Sequence, residues 1–431
     1  MMIRPKAILC GMVLVGVVGC SGGNGQQQSP PFRELVRLQA SDAAPGDNFG
    51  YHLSLAADGQ TLAIGAYGRD GPTGEDAGSV YVFALSDGKW TEQARLQGDN
   101  TEATLFGLVV GISADGNTLV AGSPDESSAA GDVAGAAYVF GRSGGKWTQQ
   151  ARLQPSDAAP AARFGNVSIA RDGNTIAVGA PPADAKSKPT AGVVYIFVRD
   201  GGGWRQEARL EASDAQTGAN FGVSVSLSGD GNTLAVSASS AANSAGQQAG
   251  NVYVFARSDT NWKEEARLQA SDAAAGSNFG TRVAISADGN TLGTGAYHAR
   301  NSGGNAYVFA RSGKNWTEQA RLQATDGVLG DSFGTSPSLS ADGNTFAVGA
   351  HLKDVAGAVD AGSAYIFVRN GGAWKEQTRL QASDPGAHDY FGLRVDLSGD
   401  ANTLAVSAFG HNNSGGVDAG SVYIFTRAPS R

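Results

Sequence analysis

The residues best equipped for chemistry sit in seven stretches of this chain whose wording differs from one to the next. They carry Asp70, Glu75 and Asp76, then Asp125, Glu126 and Asp132, and further on Asp184, Asp354, Asp360 and Asp418. Carboxylates grouped this way offer oxygen ligands to hard cations and attraction to basic partners. Histidine is scarce. Three copies, His298, His351 and His411, fall at nearly the same place in three successive stretches, with Tyr297 and Phe409 beside them. Imidazoles and aromatic rings so placed suit a binding surface, whereas a metal site needs tighter convergence than three separate stretches supply. One further Asp recurs as Asp42, Asp99, Asp157, Asp214, Asp272, Asp326 and Asp384. A residue present in every copy reads as a turn former, its side chain bonding the backbone two residues on. There is no G-x-S-x-G, no H-E-x-x-H and no phosphate-cradling glycine loop. No catalytic constellation is marked, and an enzyme is not expected.

The elements that must position these stretches come from a repeat. Phe-Gly occurs at Phe49, Phe106, Phe164, Phe221, Phe279, Phe333 and Phe391, at spacings of 57, 58, 57, 58, 54 and 58 residues. A fixed long period signals a repeat architecture and overrides the two or three domains that 431 residues would otherwise suggest. Each unit holds four runs of strand length. The first follows Phe-Gly with alternating apolar residues, as in Phe49, Tyr51, Leu53 and Leu55; the second is like Thr61–Ala66. The third is like Val80–Phe83, and the fourth opens at a Trp, as in Trp90–Gln97. These runs are rich in β-branched and aromatic residues and bounded by turn residues. No segment sustains a 3.6-residue apolar period, so the chain reads as all-β. Asp-Gly, as at Asp115-Gly116-Asn117, joins first run to second in what reads as a tight two-residue hairpin. Four short antiparallel strands repeated seven times predict a seven-bladed β-propeller.

The chain ends are out of phase. Six Trp residues open six fourth runs, but the seventh unit stops after Val422–Phe425. Leu35–Gln39 is a fourth run lacking the first three. The N-terminal strand is therefore expected to pair into the last blade and close the ring, which removes an open end. Pro337 falls in a first run, where a free inner edge tolerates it. Unit three is one residue short between Phe164 and Asp172, which predicts a local register change.

Strand direction puts the short, uniform turns on one face of the ring and the long, varied loops on the other. Binding residues concentrate on variable loops held by a rigid scaffold. The candidate binding set is therefore His298, His351, His411, Tyr297, Asp70, Glu75, Asp76, Asp125, Glu126 and Asp132. That face is expected to be acidic beyond the net charge of −8, repelling nucleic acid and presenting itself to a protein or glycan partner.

The start of the chain is a different kind of text. MMIRPK is basic, and AILCGMVLVGVV is apolar but too short to span a bilayer. Residues 1–19 read as a secretory signal. The residues Val17-Val18-Gly19-Cys20 resemble a bacterial lipobox. The resemblance implies that Cys20 is lipidated, that residues 20–33 form a tether, and that Ser21, rather than Asp, directs the chain to the outer membrane. Both cysteines, Cys10 and Cys20, lie in this segment, so no disulfide framework is expected. Membrane contact is expected only through the lipid, and the propeller over 34–428 is expected to be a monomer.

The recurring F-G with G-A and V-Y-V-F resembles FG-GAP repeats, the units of the integrin α-chain propeller. The match covers about residues 35–427. It implies a seven-bladed propeller used for extracellular binding or adhesion. Integrin-type repeats often carry a calcium loop resembling D-x-D-x-D-G in the first hairpin. Here that hairpin reads Ser113-Ala114-Asp115-Gly116-Asn117-Thr118. One carboxylate cannot supply the six to eight oxygens calcium takes, and a two-residue turn leaves no loop to wrap an ion. Calcium is not carried over, and no cofactor is expected. Two other readings stand beside the binding module: a glycan-directed hydrolase or lyase with carboxylates at the channel mouth, and a passive scaffold in an outer-membrane assembly.

Overall fold

The computed structural model describes residues 32–71, 75–99, 104–129, 131–181, 191–298 and 303–427. The signal segment, Cys20 and Asp184 lie outside the described residues. Twenty-eight strands, numbered β1–β28 in chain order, form seven four-stranded antiparallel sheets. Within each sheet the strands follow chain order from channel to rim, as the repeat predicts. The exception is the last blade, ordered β26 (Val395–Leu397), β27 (Thr403–Ala408), β28 (Ser421–Arg427) and β1 (Phe32–Leu38). β1 lies antiparallel to β28, with Arg37 opposite Tyr423 and Leu38 opposite Val422. The ring thus closes with its N-terminal strand, which begins at Phe32, ahead of the run Leu35–Gln39 read from the sequence.

The two middle strands of each blade make the core. All six residues of Thr61–Ala66 are buried, as are Val80 through Phe83. They have to be apolar on both sides because each blade is covered by two neighbours. The Phe of each Phe-Gly pair ties adjacent blades together. The Phe49 N–H donates to Ala419 O of the preceding blade at 3.2 Å. Its ring packs edge-on against Tyr81 and Phe83 of its own unit, with centroids 5.5 and 6.0 Å away. Those contacts recur in all seven units.

Two details differ from the sequence reading. The first hairpin is not a two-residue turn. Its closing bond runs from Ser113 N to Thr118 O at 2.8 Å, with four residues between. Asp115 needs that room: it accepts hydrogen bonds from Ser113 Oγ at 2.6 Å and from Asn117 N at 3.0 Å. The outer strand also carries a bulge, where the register slips between Val82 and Phe83 and at the matching place in every blade. No turn residue marks it in the sequence. Pro337 does sit on the free inner edge, opposite Val348. Unit three shows the expected slip: Asn166 and Ser168 occupy wall positions that residues three and five after Phe take elsewhere.

The inner strands enclose a channel of about 240 Å³. Its floor, on the short-turn face, is closed by backbone bonds passed from blade to blade. Ala114 N donates to Arg171 O, Arg171 N to Gly229 O, and Gly229 N to Ala287 O. The series continues from Ala287 to Ala341, Gly399 and Ala57, with lengths of 2.8 to 3.2 Å throughout. The Arg171 side chain reaches across this floor. A methyl group at Gly229 would stand 3.0 Å from its Cδ, and one at Gly399, four blades on, would collide with its guanidinium.

Candidate functional site

A blind channel leaves one open mouth, on the long-loop face. Two tiers of side chains line its wall. The upper tier is His52, Val109, Asn166, Ser224, Arg282, Ser336 and Arg394; the lower is Ser54, Gly111, Ser168, Ser226, Ala284, Ser338 and Asp396. Most polar members cap the free N–H groups of the next blade's inner edge. Ser54 Oγ accepts from Ile112 N, Ser224 Oγ from Val283 N and Ser336 Oγ from Val395 N, each at 3.2 Å. His52 Nδ1 accepts from Val110 N at 3.4 Å, which leaves the proton on Nε2. Burial, with the Arg394 and Arg282 charges, holds His52 well below the usual imidazole range, so it is neutral at pH 7.

Asp396 does the same work at the last blade. It accepts from Leu55 N at 2.8 Å and from Ser338 Oγ at 2.9 Å. Its carboxyl borders only channel space, shielded by surrounding blades, and burial pushes it up to about 6 against the pull of those bonds and of Arg171. An acid raised in the folded state favours the protonated fold. Its contribution is full below the ordinary value near 3.8 and is lost as pH rises past about 6. Asp396→Asn should therefore be more stable than the parent at pH 8 by on the order of 2–3 kcal/mol. That gap should close toward pH 4. Paired thermal melts across this range check it; a gap independent of pH would contradict it.

Arg282 and Arg394 are different. Neither can accept a hydrogen bond, so neither can cap an edge. Arg394 is buried; its Nη1 donates to Leu393 O at 3.0 Å, and its Nε has no partner. The guanidinium lies 5.5 Å from the centre of the Tyr51 ring. Neither arginine has an ion-pair partner among the described residues. Burial first, then the neighbouring Arg282, presses Arg394 well below the ordinary guanidinium range. Above them the mouth widens into a space of about 210 Å³ bounded also by Arg163, Pro124 and Pro181. Arg163 pairs with Asp125 at 2.8 Å.

The rim of the mouth comes from the residue just after each second strand: Tyr67, Pro124, Pro181, Ser239, Tyr297, His351 and Phe409. Aromatic rings gather on one side. Tyr51 meets Tyr67 at 4.6 Å and Phe409 at 5.5 Å, and Phe409 stacks on Tyr390 at 5.1 Å. Beyond them a groove of about 350 Å³ holds His388, Asn412 and Asp418.

The structure separates the three histidines expected to lie side by side. His351 turns to Thr335, whose hydroxyl donates to Ser332 O at 2.6 Å, so the imidazole Nδ1–H donates to Thr335 Oγ1 at 3.0 Å. Burial and Arg394 push it down to about 4. His411 points beneath the neighbouring loop, donating from Nδ1 to Asp389 at 3.0 Å and accepting from Arg37 at 3.1 Å. His298 is exposed and packs on Tyr297. His351 stands one residue after its second strand, His298 two and His411 three, and each step along the loop turns the side chain to another face. Among the described residues no three metal-ligating side chains form a group.

The acidic set is largely structural. Asp70 closes its own loop by accepting from Asp76 N at 3.2 Å. Glu75, Asp76 and Asp132 are exposed. Glu126, 2 % exposed, accepts from Tyr138 Oη at 2.9 Å and from Arg152 at 2.6 Å. Burial, then that carboxylate, pushes the Tyr138 phenol up to about 12. Removing one partner of a buried pair leaves the other uncompensated, so Glu126→Ala should lower stability by about 3 kcal/mol in denaturant melts. A loss of ligand capture without loss of stability would instead make it a contact residue.

The recurring Asp is not a turn former either. Asp42 accepts from Tyr81 Oη at 2.6 Å, from Arg95 at 2.6 Å and from Arg69 at 3.1 Å. Asp214, Asp272, Asp326 and Asp384 hold the matching Tyr and Arg of their blades. The repeat had shown the Asp, the Tyr of the third run and the Arg of the fourth, always in phase. Asp157 pairs with Arg209, while Asp99 is held by Gln149 at 2.7 Å, so most of these acids are neutralised and the face expected to be acidic has acids in its outer loops around a basic centre.

A closed ring of seven uniform four-stranded antiparallel blades defines a β-propeller. The FG-GAP repeat family matches residues 32–83, 147–197, 204–255, 262–309, 316–367 and 374–425, more than two thirds of the chain. The chain belongs to that family. The first matched segment starts at β1, and each of the others starts in one blade's outer strand; all end in the third strand of the next blade, the same frame that closes the ring. Among curated proteins, no sequence matches this chain.

Proposed function

We propose that the protein is a non-enzymatic binding or adhesion module that captures a protein or glycan partner on its long-loop face. In this reading Cys20 carries lipid, residues 20–33 hold the propeller off the outer membrane, and the ring works as a monomer without a cofactor. One observation carries it. Across blades that repeat almost word for word, the rim position after the second strand reads Tyr, Pro, Pro, Ser, Tyr, His and Phe. Core and turn positions repeat because each blade needs the same packing; a position that varies only at the mouth serves something outside the ring. The hairpin acids have their oxygens engaged by Ser and Asn of the same turn, which favours metal-free turns. The channel carboxylate Asp396 is held by an edge N–H and a serine, which favours a wall role over general acid chemistry.

Scrambling the exposed second-to-third loops should abolish capture of surface material from intact cells while leaving the melting midpoint of the ring in place. Unchanged capture by a folded, loop-scrambled protein would refute the reading. Release of sugar from surface polysaccharide by the parent protein would favour an enzyme.

A further inference from the structure

We propose that Arg282 and Arg394 form a carboxylate-binding site at the channel mouth, and that its ligand is an acidic sugar residue of a glycan. The inference rests on the binding-module reading above. Neither arginine is accounted for by the wall it stands in. At the other polar positions except Asn166 the side chain caps the next blade's edge N–H, but a guanidinium has no acceptor to offer. At Arg282 there is nothing to cap, because the facing residue of the next blade is Pro337. Arg394 is 4 % exposed, and its Nε is left without a partner.

Two cations two blades apart at one mouth repel, since the surroundings screen them less than water does. Asp396 does not relieve them. It lies one tier lower, bound to Leu55 N–H and Ser338, and the charged neighbour that bears on it is Arg171 at the floor. An anion held between the two guanidiniums would offset the repulsion. A carboxylate, like a phosphate, presents two oxygens to the guanidinium fork, and it carries the single charge that a small enclosed room holds at lower desolvation cost. Tyr51 braces Arg394 through its ring face. The room above, about 210 Å³, admits one sugar ring and no folded partner.

The rim decides between an acidic sugar and an acidic peptide. Tyr51, Phe409 and Tyr390 lead outward from Arg394 in ring-to-ring contact, Tyr51 edge-on to Phe409 and Phe409 stacked on Tyr390. A glycan whose acidic sugar fills the room beside Tyr51 and Asn166 can lay the C–H faces of its next sugars in the groove that Phe409 and Tyr390 line. An acidic peptide such as oligoglutamate has no such ring face to offer.

The test is calorimetric titration of the purified full-length protein with oligogalacturonate, its methyl ester, oligoglutamate and sodium sulfate. The acid sugar should bind, and its affinity should fall with added salt. The ester should bind at least about tenfold more weakly, because the charge-assisted bonds are lost. Arg282→Gln and Arg394→Lys should each weaken binding about tenfold or more. Arg282→Gln should raise the melting midpoint of the free protein or leave it in place, since among the described residues the fold takes no hydrogen bond from it and the change removes a repulsion. Equal binding of acid and ester would overturn the carboxylate assignment. Oligoglutamate binding as tightly as the sugar, or sulfate binding alone, would overturn the glycan assignment. No binding of any anion would overturn the site, while the loop-scrambling result would still stand or fall separately.

Discussion

A chain that starts at residue 40 should fail to form a cooperative ring, whereas one that starts at residue 32 should melt like the parent. β1 supplies everything that an outer strand supplies in the other blades. Phe32 and Leu38 are buried, and Val36 packs on the same core as Phe49 and Ile424. Glu34 accepts from Ser383 N at 3.0 Å and from its hydroxyl at 2.8 Å, as Glu92 does for Ser41. Arg37 holds Asp384, and Arg427 lies 4.7 Å over the Phe32 ring. Burying three such side chains is worth roughly 1.5–3 kcal/mol each. Together they approach the whole stability of a typical domain, about 5–15 kcal/mol. Deletion also leaves β28 as an open edge, and open edges pair with other chains. The truncated protein should aggregate on heating without a sharp transition. A synthetic peptide of residues 31–40 added in trans should restore the transition. A truncated chain with the parent's midpoint would show that the ring does not depend on this closure.

The ring was legible because its causes are periodic. Seven Phe-Gly pairs, seven buried second strands and one misplaced fourth run leave little freedom, and the structure follows them down to the slip at Asn166. The mouth was only half legible. Tyr297 and His351 were readable as loop-opening residues, and the structure sets both on the rim. His298 and His411 stand two and three residues after their second strands, where Tyr297 and Phe409 hold the rim position, an offset that shows once the strand ends are aligned. The acids misled for a physical reason: net charge counts Asp42, Asp214 or Glu126 as free, while each is held by a Tyr and an Arg from another strand. Arg282 and Arg394 left a signal that went unread. Both stand three residues after Phe-Gly's Phe, where Ser224 and Ser336 stand in other units. A charged residue at a channel-facing position of an otherwise uniform repeat is the departure to look for, and it required knowing which of two alternating residues faces the channel.

Gly349→Ala should cost at least as much as the worst overpacking substitutions, at or beyond the upper end of about 1–3 kcal/mol, while Ser407→Ala should cost only about 1 kcal/mol. The two residues occupy the same position of the second strand in adjacent blades. At Gly349 the backbone of the next blade comes so close that a Cβ would collide with Gly392 O, a backbone atom that cannot rotate away. The same collision waits at Gly65, Gly122, Gly179 and Gly295. Gly392 cannot retreat easily, because it is held in a left-handed conformation, φ 91°, by its bond to Ser407 O at 2.9 Å. In the fourth and seventh blades the gap is wider. Ser407 already carries a Cβ, which lies 3.6 Å from where one would stand on Gly50, and its hydroxyl accepts from Arg394 N at 2.9 Å. Losing that hydroxyl removes one hydrogen bond and fills no space. The contrast also reaches the mouth. Gly392 is two residues from Arg394, so forcing the sixth and seventh blades apart should displace the guanidinium as well as destabilise the ring. Gly349→Ala should therefore weaken binding of oligogalacturonate at temperatures where the protein is still folded. The equivalent change at Gly65, which presses on Gly107 beside the apolar Val109 and moves neither arginine nor Asn166, should destabilise equally and weaken binding less. Equal losses of binding in the two variants would mean that the mouth responds to the stability of the ring as a whole and not to the position of its seventh blade.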